Sequence, residues 1–185
     1  MVSTDDDEIA EIALAEGAVI PFRRSSRRSD DFATTADVLT EVLDAYRQRG
    51  RTFELACCLY PTAPFVTAER LREAFARLQD SGADCALPVA RFGFPIWRAF
   101  QMDDGHLTYI WPENAPKRSQ DLPPSYHDAG QFYVFRTAPF LATGKLVGEN
   151  AVGMETDERE VQDIDTEADW QLAELKYRQL HGATT

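Results

Sequence analysis

Segments of helical periodicity alternate with short apolar runs through the first half of the chain. The helical segments and the runs that follow them are 5–16, 18–22, 36–49, 53–60, 67–81 and 85–90, in the order helix, strand, helix, strand, helix, strand. This alternation is typical of α/β folds, in which right-handed crossovers connect neighbouring strands. The continuous run "FELACCLY" at 53–60 has the pattern of a strand buried on both faces of a parallel sheet. We therefore expect an α/β fold with a mostly parallel sheet.

The second half of the chain is less regular. The stretches "IWRAFQ" and "HLTYIW" predict a hairpin around "MDDG", and the long loop "PENAPKRSQDLPPSYHDAG" follows. Residues 91–128 are therefore interpreted as an insertion in one domain that spans 1–185, and loops of this length are usually functional. Beyond it we expect a strand at 131–135, a short helix in "APFLATG" and a final helix at 166–180.

Composition and charge limit the class of protein. The chain has 185 residues, 44% of them hydrophobic, which is enough for one domain with a core. A formal net charge of −12 argues against a nucleic-acid polymer or an anionic membrane as the main partner. The acidic N-terminus does not resemble a signal peptide, and no apolar stretch is long enough to span a bilayer. Three cysteines without metal spacing are interpreted as buried packing residues, so we expect a cytoplasmic protein.

The stretch "VQDIDTEADW" at 161–170 contains the most informative pair of residues. In an extended backbone, Asp163 and Asp165 point to the same side and Ile164 points to the other, towards a core. Two carboxylates roughly 6–7 Å apart repel by about 2–3 kcal/mol at an effective dielectric of about 20, so in a cleft they favour a cation. The alternative for Asp165 is to cap the final helix, and both roles are compatible. We expect Asp169, on the helix, to be solvated.

Other motifs of nucleotide or hydrolase chemistry are absent from the sequence. There is no G-x-G-x-x-G and no Walker lysine loop, and "TGKL" at 143–146 lacks the flanking residues that such a loop needs. Ser125 and His127 stand on the same loop without a nucleophile elbow, which argues against a hydrolase triad.

Five motifs occur in order along nearly the whole chain. They are "VSTDDDEIAEIA", "PFRRSSRRSDDFATTADVL", "YPTAPF", "RSQDLPPSYHDAGQFY" and "VQDIDTEADW". Their order and spacing resemble those of the acylneuraminate cytidylyltransferases, and "HDAGQFY" is most similar to the branch that activates pseudaminic acid. The resemblance implies a Rossmann-like nucleotide-diphospho-sugar transferase fold and transfer of CMP from CTP to a nonulosonic acid, with release of pyrophosphate. It also implies Mg²⁺ as cofactor and a homodimer formed through the insertion.

The resemblance also assigns candidate site residues. Asp163 and Asp165 match the metal-binding and catalytic aspartates, and their oxygens suit Mg²⁺. The nucleotide-binding positions are Arg24, Asp31, Thr34, Thr35, Pro61 and Thr62. The alternatives are an arginine-rich surface loop at 23–35 and an ordinary turn at 61–64. The sugar-binding positions are Arg118, Gln120, Tyr126, His127, Asp128, Gln131 and Tyr133. At the sugar end, the fork of Arg118 suits a carboxylate.

One departure from the family bears on activity. The family begins with a strand and a basic, glycine-containing loop of the form "A-R-x-G-S-K", which the resemblance places on the triphosphate and which this sequence lacks. We therefore expect a first βα unit of roughly 30 residues or more to be missing, and little activity from the 185-residue chain alone. We expect a misplaced start or a fragment, such as one part of a split gene; the alternative is an inactive remnant that binds sugar or nucleotide, or dimerises. A related enzyme that uses another sugar also remains open.

Overall fold

A five-stranded sheet forms the centre of the computed structural model, which describes residues 1–25 and 33–182. The strands of the chain are β1 (Leu55–Leu59), β2 (Cys85–Arg91), β3 (Phe100–Asp103), β4 (His106–Tyr109), β5 (Tyr126–Asp128), β6 (Phe132–Arg136) and β7 (Ala151–Glu155). The helices are α1 (Asp7–Ala15), α2 (Thr35–Gln48), α3 (Ala68–Ser81), α4 (Thr137–Thr143) and α5 (Glu167–His181). Strands β3 and β4 form a separate hairpin, as the sequence predicts.

The pairing of the strands corrects the expectation of a mostly parallel sheet. β6 lies antiparallel between β1 and β2, and β5 pairs antiparallel with the other end of β2. Among the described strands only β2 and β7 pair in parallel. β1, β2 and β7 do run in the same direction, as helical crossovers require. The sheet is nevertheless mainly antiparallel, because β5, at the end of the insertion, and β6, directly after it, both run opposite to β2.

The helices are confirmed with small shifts, whereas three strand assignments change. Residues 18–22 form no strand, although the Val19 carbonyl accepts a hydrogen bond from the Val2 amide at 3.0 Å. β5 and β7 are strands that the sequence analysis did not predict. β7 has the sequence "AVGME", whose central glycine and short length hide the strand pattern.

Helices cover both faces of the sheet and enclose two apolar clusters. On one face, Ala74 and Leu78 of α3 pack against Phe132, Val134 and Met154. The cluster on the other face brings α2 and α4 onto the sheet through Leu39, Leu43 and Phe140, which pack with Leu87, Tyr133 and Phe135. This three-layer arrangement is the α/β architecture that the sequence predicts.

β1 is less buried than its sequence predicts. It pairs with β6 alone among the described strands, Leu59 is 52% exposed, and Cys57 is also exposed. The prediction of burial on both faces is therefore wrong for this strand, because one edge is open and part of one face is uncovered. The prediction of three buried cysteines holds for Cys85 alone, since Cys58 is half-buried.

Within residues 1–25 and 33–182, none of the helices has both the length and the apolar character needed to cross a bilayer.

Gly153 of β7 provides a test of the parallel β2–β7 contact. A Cβ atom at this position would lie 3.0 Å from one methyl carbon of Val89 and 3.4 Å from the other. We expect Gly153→Ala to lower the free energy of unfolding by about 1–2 kcal/mol, because the added methyl overpacks this contact. Urea unfolding measures the change. Gly148→Ala is the matched control, because nothing lies within 4 Å of its Cβ position. Equal stabilities for the two variants would show that the contact has room.

Candidate active site

The segment between β7 and α5 carries the two aspartates of the predicted cation site. After β7 the chain forms a 3₁₀ turn at Glu158–Glu160, and Val161 is extended. Thr166 then caps α5 through a capping box: its hydroxyl accepts from the Asp169 amide, and the Asp169 carboxylate accepts from the Thr166 amide. Asp169 is therefore a capping residue and not the merely solvated residue that we expected.

Asp163 and Asp165 are both exposed, whereas Ile164 between them is half-buried. This alternation agrees with the predicted extended backbone. Asp165 does not cap α5, since Thr166 occupies that position. Neither carboxylate accepts a hydrogen bond from the residues that the structure describes. Both are thus available to a ligand or an ion.

Asp163 lies against the turn that connects β5 to β6. A Cβ atom on Gly130 would be 3.7 Å from the Asp163 Oδ1 atom, and Gly130 has φ +66°. Its amide donates to Asp128 Oδ1 at 2.8 Å. Glycine suits this position because other residues rarely adopt such a left-handed conformation. The "HDAGQFY" motif and the "DID" motif therefore meet at Gly130.

Four side chains extend this site towards α2 in a connected row. The Tyr133 hydroxyl donates to Asp128 Oδ2 at 2.6 Å, the rings of Tyr133 and Tyr60 are 5.5 Å apart, and the Tyr60 and Thr35 hydroxyls are 3.0 Å apart. We call Thr35, Tyr60, Tyr133 and Asp128 the tyrosine row. Burial, and then the hydrogen bond to Asp128, raises the pKa of Tyr133 well above its ordinary value. Tyr133 is therefore a neutral hydrogen-bond donor at neutral pH.

The turn at 61–64 faces the opposite side of the aspartate segment. A cavity of about 300 Å³ is lined by Pro61, Thr62, Ile164, Trp170 and Tyr177, among others. The predicted nucleotide-binding turn and the residue between the two aspartates thus share one cavity.

The other predicted sugar-binding residues lie at separate places. Arg118 donates two hydrogen bonds to Asp121, at 2.7 and 3.0 Å, so its fork is already occupied. Gln120 lines a cavity of about 610 Å³ between the insertion and the end of β7. The Tyr126 hydroxyl donates to Glu155, and the His127 ring lies 4.9 Å from Phe92. Their roles stay predictions.

The predicted nucleotide-binding residues near the N-terminus have partners of their own. Arg24 pairs with Asp5 at 3.2 Å, and its Nε atom is buried and has no hydrogen-bond partner among the described residues. Thr34 caps α2 in a capping box with Asp37. Thr35 alone of this group joins the tyrosine row. Asp31 lies outside the described residues.

The donor set of the site fits Mg²⁺. Among the described residues, no group of three or more His, Cys, Asp or Glu side chains could hold a metal. Mg²⁺ usually keeps several waters and binds through one or two carboxylates together with substrate phosphates. A pair of exposed carboxylates that have no partner among the described residues meets this requirement, whereas a closed zinc or calcium site would need more ligands.

Sequence reasoning missed Tyr60 and Gly130 as parts of the site. Tyr60 directly precedes the proline-rich turn, and Gly130 is the one glycine in "HDAGQFY". The signal available in the sequence was that each residue lies in or beside a motif. Their contacts were not predictable, because their partners are distant in sequence.

The overall fold is that of the nucleotidyltransferases. It matches the solved structure of CMP:2-keto-3-deoxy-manno-octonic acid synthetase complexed with CTP with a TM-score of 0.61, over 98% of this chain and 80% of that one. The sequence identity is only 12%, so this likeness concerns the fold alone.

Sequence comparison then gives the family. The chain belongs to the cytidylyltransferase family, whose model matches residues 1–164, and it is therefore a nucleotidyltransferase enzyme. It is 32% identical to the pseudaminic acid cytidylyltransferase of Campylobacter jejuni over 98% of this chain and 78% of that protein. It is 30% identical to the CMP-N,N'-diacetyllegionaminic acid synthase of Legionella pneumophila, over 94% of this chain and 75% of that protein. The resemblance inferred from the five motifs is confirmed.

Tyr133→Phe tests the tyrosine row. The variant removes the donor to Asp128, and we expect it to lower the free energy of unfolding by about 1.5 kcal/mol at pH 7. The pKa of Tyr133 is raised in the folded state. Its contribution to the free energy of unfolding is therefore complete below the ordinary tyrosine pKa of about 10 and is lost as the pH rises above that value. The difference between wild type and variant should therefore narrow above pH about 10.

Chemical unfolding from pH 7 to 11 measures both effects. Tyr109→Phe, in the separate hairpin, is the control, and it should leave the stability at pH 7 unchanged. A stability difference for Tyr133→Phe that is absent at pH 7, or constant through this range, would contradict the prediction.

Proposed function

We propose that the chain transfers the cytidylyl group of CTP to a nonulosonic acid, with pseudaminic acid as the preferred acceptor and pyrophosphate as the second product. Two relatives support this acceptor class, since their names specify pseudaminic and diacetyllegionaminic acid. Pseudaminic acid is favoured because its cytidylyltransferase is 32% identical across nearly the whole chain. The product would serve the synthesis of surface glycoconjugates.

The observation that carries the proposal is the approach of Asp163 to Gly130. It joins the acidic segment to the "HDAGQFY" motif, and the tyrosine row continues from there to Thr35. One predicted metal position (Asp163), two predicted sugar positions (Asp128 and Tyr133) and one predicted nucleotide position (Thr35) are thus neighbours along this row. An unrelated surface pair of aspartates would have no reason to meet these residues.

Mg²⁺ is the cofactor that we propose for Asp163 and Asp165. When bound, it would neutralise phosphate charge and orient the reacting groups in the transfer. The charge of the chain supports this proposal, because a chain of net charge −12 has to bind two anionic substrates and a divalent cation would offset the repulsion. Asp128 and Tyr133 would hold the edge of the acceptor site in place, with Tyr133 kept protonated.

A homodimer through the insertion is the second part of the proposal. The hairpin and its flanks expose several large apolar side chains: Phe94 (87%), Met102 (71%), Leu107 (60%), Ile110 (49%) and Phe100 (48%). Large exposed apolar patches usually mark interaction surfaces. A second copy, which presents the same patch, would cover it through a two-fold interface.

We also propose that a further strand pairs with the free edge of β1 in the active protein. Its support is the open edge itself, together with the exposure of Leu59 and Cys57. Open apolar edges are normally paired or covered. Three free cysteines in the described part of the chain are compatible with the reducing cytoplasm, where we place the enzyme.

The experiment that tests the function is transfer from CTP labelled at the α-phosphorus. Single-turnover conditions, with protein in excess, allow for a slow reaction by the 185-residue chain. We expect labelled CMP-pseudaminic acid to form in the presence of Mg²⁺. With N-acetylneuraminic acid as the acceptor, we expect the corresponding CMP-sugar to form more slowly. Asp163→Asn should reduce the rate by about 100-fold or more, because the loss of several kcal/mol of metal-assisted stabilisation corresponds to that factor.

Asp103→Asn is the matched control, since Asp103 is an exposed aspartate of the hairpin. It should leave the rate unchanged. Equal rates for Asp163→Asn and wild type would refute the assignment of the site. Binding of CMP-pseudaminic acid without any transfer would instead support the alternative of an inactive binding module.

Leu107→Lys tests the dimer. A lysine in the apolar patch of the hairpin would have to lose its hydration on association, so the variant should be monomeric where the wild type sediments at twice 20.8 kDa. Val147→Lys introduces the same charge at another exposed apolar residue and should leave the dimer intact. A wild-type chain that sediments as a monomer at all concentrations would rule out this interface.

A further inference from the structure

Two side chains from different elements hold the backbone that leads to Asp163. Lys176 of α5 donates from Nζ to the carbonyls of Val161, at 2.6 Å, and Glu158, at 3.1 Å. Gln131, just before β6, donates from Nε2 to the carbonyl of Glu160 at 2.5 Å. Three carbonyls within four residues are thus fixed from outside the segment.

The surroundings of these two side chains indicate a structural use of their polar atoms. Gln131 is only 4% exposed, and its amide nitrogen is directed at Glu160. Lys176 is half-buried, and two of its three N–H donors are taken by carbonyls. Most of the donors of Lys176, and the buried amide nitrogen of Gln131, are thus engaged with the backbone of 158–161.

The same two anchors also define where Asp163 lies. Gln131 follows Gly130, whose Cβ position is 3.7 Å from Asp163 Oδ1, and Val161 is two residues before Asp163. Lys176 therefore fixes the approach of the segment from the side of α5, and Gln131 fixes it from the side of the sheet. Because the two carboxylates accept no hydrogen bond from the described part of the chain, they depend on their backbone for position.

We propose that Lys176 and Gln131 are positioning residues for the cation site, and that they act through the backbone of 158–161 and not by contact with CTP or sugar. The inference rests on the proposed function, because it assumes that Asp163 and Asp165 bind the divalent ion. It replaces the predicted sugar-binding role of Gln131. Side chains that orient metal ligands commonly change metal affinity when they are removed.

The test is binding of Mn²⁺ alone, without CTP, by the full chain, followed by electron paramagnetic resonance. Lys176→Met removes both hydrogen bonds and keeps the aliphatic stem. Gln131→Met removes the amide at nearly constant length. Each variant should raise the half-saturating Mn²⁺ concentration by about tenfold, which is the lower end of the usual effect of such residues.

Two further variants separate positioning from general effects of charge and stability. Lys176→Arg retains donors for the carbonyls and should restore most of the Mn²⁺ affinity. Lys145→Met makes the same change of charge in the connection between α4 and β7 and should bind Mn²⁺ as the wild type does. Thermal unfolding by circular dichroism identifies any variant that fails to fold. If Lys176→Met does not fold, the Mn²⁺ affinity of Gln131→Met decides the test.

Each outcome has a distinct meaning. Weaker Mn²⁺ binding by folded Lys176→Met and Gln131→Met, rescued by Lys176→Arg, supports the inference. Wild-type affinity for Mn²⁺ in both folded methionine variants overturns the inference. If Asp163→Asn nevertheless weakens Mn²⁺ binding, the proposed function stays intact. Absence of Mn²⁺ binding by the wild type itself overturns the cation site and the positioning role together.

Discussion

The turn between β5 and β6 is the constraint on which the sheet and the site both depend. Gly130 takes a left-handed conformation, and its amide is held by the carboxylate of Asp128. On either side of it, the Ala129 amide donates to Pro88 of β2, and the Gln131 carbonyl accepts from Tyr60. The turn thereby places β6 between β1 and β2. It also brings Asp128 and Tyr133 to the place where Asp163 arrives from β7.

The pattern of the first half predicted the layers well because helical periodicity is a local property. Helices α2 and α3 lie almost where the apolar spacing placed them, at Thr35–Gln48 and Ala68–Ser81. The direction of strand pairing is not local in the same way. Nothing in "QFYVF" distinguishes a strand that inserts antiparallel from one that adds in parallel. The expectation of a mostly parallel sheet is wrong for this reason. β7 was missed because Gly153, which the nearby Val89 requires, weakens its apolar pattern.

The site shows the same division between local and distant information. The alternation of Asp163, Ile164 and Asp165 was readable from three residues, and their exposure follows it. The meeting of Asp163 with Gly130 was not readable, since 33 residues separate them. Family resemblance supplied the set of candidates but not their partners. Hence it did not predict that Arg118 would be engaged by Asp121, or that Gln131 would bind a backbone carbonyl.

An unpartnered carboxylate pair has a cost that the fold must offset. Repulsion of about 2–3 kcal/mol at the predicted spacing would favour a rearranged segment. The segment is held at both ends, by the Thr166–Asp169 capping box after it and by Lys176 and Gln131 before it. Lys176 and Gln131 donate to backbone carbonyls, and the capping box uses Thr166 and Asp169 alone, so neither anchor occupies the carboxylates of Asp163 and Asp165. Had Lys176 paired with Asp163 directly, the repulsion would be relieved, and the pair would no longer favour the divalent cation that we propose for it.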